Sequence, residues 1–460
     1  MPLRRKLPDR RRELLLILTP TALSPRLRGE GLARGNDRSV MWQPITDPRT
    51  TSECWTTIRE IERALTDSLE NGSRRNPAMA GGDAGIALFL SYLHASGTSE
   101  TAGDHALEAL GMSLGALAER RLLPTLYTGF FGVGWVVTHL TRELFEGDAD
   151  LAAEVDEALR HLLAETSGSV PFELIGGLAG YGTYLVERLP DPGAATLLHE
   201  IVNRLTRSRD ASGVWFSDPA WLPDWQRELM PAGYHNAGVA HGIPGVIGFL
   251  AAAWREGFRD PRIPQLAADA VRWTLAQRDD SLEGSVFPAH VPPDGDPRPT
   301  RTAWCYGDLG IAAVLLSAAQ SFERDDWREH ALDIARVAAR RPFEDTKTVD
   351  VGLCHGATGI AHIFNRVYQA TGDEEMRDAA HQWIRRALAL RRPGEGVAGF
   401  LSWMVMPPAG GEWVADRGFL TGAAGIGLAL LAAVSDVEPS WDRVMLVSVP
   451  PASVRHEVLP

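Results

Sequence analysis

The chain has 460 residues, 45% of them apolar and 23% charged, and a net charge of −13, which suits a globular protein with one large core or two medium ones. Outside the first 38 residues no Lys or Arg stripe concentrates positive charge, so nucleic-acid binding is excluded. The apolar run 425–434 is about half as long as a bilayer requires, so no membrane-spanning helix is predicted.

Residues 1–40 are Arg-rich and read as a disordered extension or an over-called start ahead of Met41, leaving 41–460 as a single domain. Amphipathic stretches then recur at 55–69, 106–120, 151–165, 195–207, 265–278, 327–340 and 374–390, each with charge on one face. Between them stands a repeated Gly-x-x-Gly: Gly82/Gly85, Gly129/Gly132, Gly177/Gly180, Gly242/Gly245, Gly307/Gly310, Gly356/Gly359 and Gly422/Gly425. Each copy opens a helix that is apolar nearly all round, as a helix enclosed by others must be. Outer and inner helices alternating seven times predict an all-α toroid of fourteen helices, closed because neither end unit shows a polar capping face.

In such a ring all inner helices point the same way, so their N-termini gather at one end. Unpaired N–H groups and helix dipoles there are predicted to favour negative charge. Asp83 and Asp308 are read as caps of their helices, and His235, His290 and His362 as core histidines.

What stands just before the first glycine differs between copies: Gly81, Thr128, Gly176, His241, Tyr306, His355 and Thr421. One position earlier, copies five and six carry Cys305 and Cys354. If the repeats are structurally equivalent, these side chains share one height and face one another near the axis. Cys305, Cys354 and His355 then form a Cys₂His set, matching a catalytic zinc site with one open coordination position. Cys54 is the third cysteine; three are too few for a disulfide framework and fit a reducing cytoplasm.

The segments Trp304-Cys305-Tyr306-Gly307, Cys354-His355-Gly356, Ala240-His241-Gly242-Ile243-Pro244-Gly245 and 441–448 resemble the signatures of the lanthionine synthetase C-like family, over residues from about 50 to 450. That resemblance implies an α/α toroid, one Zn²⁺ per chain on Cys305, Cys354 and His355, and Michael-type addition of a cysteine thiol to dehydroalanine or dehydrobutyrine. It implies catalytic roles for His241, Arg301 and Tyr306, and places Glu173 where the family has an aspartate. It also implies a dehydrated precursor peptide as substrate, dehydratase and exporter partners, and a cytoplasmic protein that meets the membrane only through a biosynthetic complex. Two other readings stand beside the cyclase: a relative that adds glutathione to dehydrated proteins, and a non-catalytic scaffold.

The chemistry is coherent on its own terms. A thiol with a pKa near 8.5 is mostly protonated at neutral pH, and a metal that binds it removes the proton. Attack on a dehydro residue builds an enolate, which Arg301 suits for stabilisation and His241 for protonation, with Tyr306 as a second hydrogen-bond donor. Three inter-repeat linkers, 210–236, 279–302 and 393–417, are longer than the others and rich in Trp and Pro. They are expected to rim the mouth where an extended peptide enters.

Overall fold

A computed structural model describes residues 42–70, 76–120, 122–144, 150, 152–166, 170–405 and 410–451; the extension predicted over 1–40 lies outside them. Numbered along the chain, the first helices are α1 (Pro48–Glu70), α2 (Asp83–Ala95), α3 (Ala102–Glu119), α4 (Phe130–Glu143) and α5 (Ala153–Glu165). Next come α6 (Leu178–Arg188), α7 (Pro192–Arg207), a short α8 (Asp224–Leu229), α9 (Ile243–Arg255) and α10 (Ile263–Ala276). The last are α11 (Asp308–Ser321), α12 (Asp325–Ala339), α13 (Ala357–Thr371), α14 (Glu374–Ala389) and α15 (Ala423–Val434).

The inner helices are α2, α4, α6, α9, α11, α13 and α15; each packs on the next, and α15 returns to α2, so the ring is closed. Inner α15 has every residue buried, whereas outer α12 buries only Trp327, Ala331, Leu332, Ile334, Ala335 and Ala338, one stripe of an amphipathic helix. Each inner helix pairs with the outer helix that follows it, except that α15 takes α1, from the opposite end of the chain. The closure is locked by Trp42 Nε1 donating to Ala432 O at 2.7 Å and Ile45 N to Ala433 O at 3.0 Å.

Ahead of the inner helices a belt of backbone hydrogen bonds runs from copy to copy. Ala240 N donates to Cys305 O and Cys305 N to Cys354 O (both 3.2 Å), Cys354 N to Leu420 O (2.8 Å), Leu420 N to Ala80 O (3.1 Å), Ala80 N to Tyr127 O and Leu126 N to Ile175 O (both 2.8 Å). The repeats are therefore structurally equivalent, and this belt sets the common height expected for Cys305 and Cys354.

The paired glycines have a specific cause. In each copy the loop folds back over its own helix start, and a Cβ on Gly82 would stand 1.8 Å from Asn76 O, one on Gly132 1.9 Å from Leu126 O. The same loop supplies the caps. Asp83 N donates to Asn76 O (2.7 Å), Phe130 N to Leu123 O (3.1 Å), Leu178 N to Pro171 O (2.8 Å), and Ala357 N and Ala423 N to Asp350 O and Asp416 O (both 3.0 Å).

Two expectations are corrected here. Asp308 is no cap: its carboxylate accepts from Val286 N at 2.8 Å and pairs with Arg341 at 2.6 Å, and neither α2 nor α11 has a side-chain cap. In the five copies just given the leading amide is already bonded to the loop carbonyl, so an anion at this end would meet the helix dipoles rather than a full set of free N–H groups.

The lumen is filled from the other end by a 3-10 turn, Ser440–Met445. Trp441 and Asp442 are buried, and Asp442 binds Arg366 at 2.5 Å and His362 at 2.7 Å. The turn reaches up to the belt, where Tyr127 Oη donates to Val444 O at 2.7 Å and Trp304 Nε1 to Met445 O at 2.8 Å. Among the described residues no helix is long and apolar enough to cross a membrane.

Candidate functional site

On that floor the belt places Cys305 and Cys354 side by side, with His355 next along the chain. One ligand atom from each of the three lies within 4.8 Å of the others, so the group could hold a metal ion. The hydrogen bond with Cys354 holds the Cys305 thiol well below its ordinary pKa against the opposing effect of burial, with His355 and Arg301 adding to the drop; Cys354 is driven up in turn. Two soft thiols and an imidazole, with one thiol already inclined to ionise, are donors of the kind that suit a soft or borderline divalent metal such as zinc.

His355 Nε2 is buried and lacks a hydrogen-bond partner, and its nearest carboxylate oxygen is Asp350 Oδ2 at 3.5 Å. Burial pushes the His355 pKa down, but Cys305 and Asp350 outweigh it and raise it overall. Asp350 is itself buried, which raises its pKa, and Oδ2 accepts from Trp403 N at 3.0 Å.

His241 stands half-exposed at the mouth, its Nδ1 2.8 Å from Glu173 Oε2. Glu173 also accepts from Ile175 N at 3.0 Å and Gly176 N at 2.6 Å, so its carboxylate is fixed from two sides. Burial alone would lower the His241 pKa; the bond and charge of Glu173, with Cys305, raise it. A carboxylate on Nδ1 makes Nε2 the nitrogen turned to the lumen. Among the described residues, the belt has no backbone bond between copies three and four, and this pair bridges that junction.

The Tyr306 ring lies 6.4 Å from His241 and nearly parallel to it, and its hydroxyl accepts from Asn236 Nδ2 at 3.1 Å. Burial drives its pKa far above the ordinary phenol value, so it stays protonated. The charge of Arg301 acts on Cys305, Cys354, His355 and Asp350. The seven residues singled out in the sequence thus lie close enough to act on one another: Cys305 on His241, Tyr306 and His355, Glu173 on His241 and Tyr306, and Arg301 on both cysteines.

Two residues that sequence reasoning missed belong to it, Asn236 and Asp350. Both stand six residues before the first glycine of their copies, which is the repeat position of Arg301. Placing Arg301 in the repeat frame would have found them. His290 packs against Tyr306 with ring centroids 5.7 Å apart, and burial, with Arg298 and His241, pushes its pKa down to about 4. His235, on Asp210, and buried His362, on Asp442, sit as structural histidines.

The long linkers carry short strands. β1 (His235–Asn236) pairs antiparallel with β2 (His290–Val291), and β3 (Ser402–Val405) with β4 (Gly411–Val414). Trp215 is core, stacked on Phe172, whereas Trp225 and Trp413 are exposed and Trp403 packs on Trp413 at 5.3 Å. Of these, Trp403 reaches the site through its backbone N, which donates to Asp350 Oδ2.

Residues 73–446 match the family model described as lanthionine synthetase C-like protein. The chain is 27% identical to glutathione S-transferase LANCL1 of Danio rerio over 323 residues, 69% of this chain and 76% of that protein. It is 23% identical to the nisin biosynthesis protein NisC of Lactococcus lactis subsp. lactis over 263 residues, 53% of this chain and 62% of that one. Among solved structures, nisin cyclase superposes with a TM-score of 0.69 at 19% identity, covering 85% of this chain and 97% of that one, which identifies the fold as the α/α toroid.

Proposed function

The chain belongs to the lanthionine synthetase C-like family, and we propose that it is a zinc-dependent cyclase acting on a dehydrated precursor peptide. The observation that carries this reading is the Cys305, Cys354 and His355 cluster, with His241 and Arg301 near enough to feel or exert its charge. One Zn²⁺ held there would lower the pKa of the substrate cysteine and keep its sulfur in a defined place.

The residues of the chain supply the rest. As the C–S bond forms at the β-carbon, the π-electron pair of the dehydro residue moves into an enolate. Arg301 and the Tyr306 hydroxyl would face that developing charge. His241, held on Nδ1 by Glu173, delivers a proton from Nε2 to the α-carbon. One proton leaves the thiol and one arrives at carbon, so the thioether product has the mass of the reactants. The aromatic strands β3 and β4 suit a partly apolar peptide. Dehydratase and exporter partners, a cytoplasmic setting and a role in antibiotic biosynthesis belong to the same reading.

Similarity to a protein named as a glutathione S-transferase favours a second reading, in which glutathione is the thiol added to a dehydrated polypeptide. One experiment separates the two. Zinc-replete protein is incubated with a dehydrated cysteine-containing peptide and glutathione, then treated with a thiol alkylating agent and weighed by mass spectrometry. Cyclisation leaves the mass unchanged and blocks alkylation; glutathione addition raises the mass. Neither product would leave the scaffold reading.

A further inference from the structure

The cyclase reading makes Tyr306 a hydrogen-bond donor, but a phenol donates only if its proton is not engaged elsewhere. The loop that precedes α9 settles this locally. Asn236 is buried, and its Oδ1 accepts from Gly238 N at 2.9 Å, which fixes the orientation of the amide. The NH₂ group therefore faces Tyr306, and Nδ2 donates to the phenol oxygen at 3.1 Å. A group that only donates cannot receive the phenol proton. The ring is held from the same loop, since a Cβ on Gly238 would stand 2.5 Å from Tyr306 Cδ1, and His290 packs edge-on against it.

We infer that Asn236 is the positioning residue for Tyr306: it occupies the phenol oxygen as an acceptor and so leaves the O–H to donate to the carbonyl oxygen of the reacting dehydro residue. The repeat frame supports this, because Asn236 stands where copy five has Arg301, so two neighbouring copies each contribute one residue of this position to the same charge. The inference rests on the cyclase reading.

Asn236→Asp is the decisive variant, because it keeps an acceptor for Gly238 N while offering Tyr306 an acceptor in place of a donor. Two donors to the new carboxylate favour its ionised form. The probe is a synthetic peptide with one cysteine and one dehydroalanine, cyclised by zinc-replete protein. Asn236→Asp should slow turnover about 10²-fold, the low end of the range for losing an oxyanion donor, with zinc content retained. Tyr306→Phe should slow it equally, and the double variant no further.

Ultraviolet resonance Raman gives a readout free of turnover. In the difference spectrum against Tyr306→Phe, the tyrosine doublet should change from the form of an accepting phenol to that of a donating one on Asn236→Asp. If Tyr306→Phe is slow while Asn236→Asp is near wild type, or if the two effects multiply, the inference fails alone. If Tyr306→Phe is fully active, the role given to Tyr306 fails and the inference with it. An unchanged doublet overturns the inference whatever the rates.

Discussion

Removing Asp350 should weaken metal binding without touching a ligand. A metal-ligating histidine is usually oriented by a carboxylate on its other nitrogen, and losing that partner costs ~10–100-fold in affinity. Here the carboxylate is buried and its Oδ2 lies 3.5 Å from His355 Nε2. That separation is at the limit of a hydrogen bond, so Asp350→Ala belongs at the low end, about tenfold, or about 1.4 kcal/mol. The same oxygen accepts from Trp403 N. Asp350→Asn can keep an oxygen there while losing the charge, and should weaken binding by less. Chelator competition on purified protein measures both, with His355→Ala as the variant that loses a ligand outright and circular dichroism as the check on folding. Wild-type zinc affinity in Asp350→Ala would refute the argument that Asp350 orients His355.

The wild-type protein should hold one zinc per chain by elemental analysis, and Cys354→Ala or Cys305→Ala should lose both metal and cyclisation; full retention in either would remove the site. His241→Asn should keep zinc and slow ring closure by about 10²–10⁴-fold, the range for losing a general acid, read by the alkylation assay. Because His241 must be protonated to act and Glu173 raises its pKa, wild-type turnover should fall as pH rises through that raised value, and Glu173→Gln should move the fall to lower pH; a profile that stays put would separate His241 from the proton step. Trp441→Ala, which empties a buried site stacked on His362 at 4.5 Å, should cost ~3–5 kcal/mol of stability, measured by denaturant titration, with Trp441→Phe recovering much of it.

The helices were legible because two strong signals coincide, the amphipathic period of the outer helices and the Gly-x-x-Gly before each inner one. Less legible was why the glycines are needed: the contact is with the loop carbonyl six residues back, such as Asn76 O over Gly82, and sequence spacing alone does not reveal a chain folding over itself. In copy five a loop carbonyl, Ala303 O, takes the amide of Gly310, and the Asp308 side chain instead holds Ser285, Val286 and Arg341. The pairing of α15 with α1 was hidden because it joins distant ends of the sequence. Cys305, Cys354 and His355 could be read from repeat position alone. Asn236 shares the repeat position of Arg301, but its role could not be read there, because its partner Tyr306 belongs to the next copy, and lateral neighbours emerge only once the ring is closed.

The backbone belt explains how one architecture can carry a site with strict geometric demands. A reacting group must be held to within about 0.5 Å by a rigid frame, and side chains on loops seldom meet that. Here each functional loop is tied twice, to its neighbour through the belt and to its own helix through the carbonyls over the glycines. Side chains can then vary freely one, two and six residues before the first glycine, since the frame is made of backbone. Copies four, five and six exploit this with His241, Tyr306, Cys305, Cys354, His355, Asn236, Arg301 and Asp350. The junction between copies three and four tests the idea from the other direction. Its link is the Glu173–His241 side-chain pair, so the group assigned to move a proton also stands where the frame depends on side chains, and changes at Glu173 are expected to act on both.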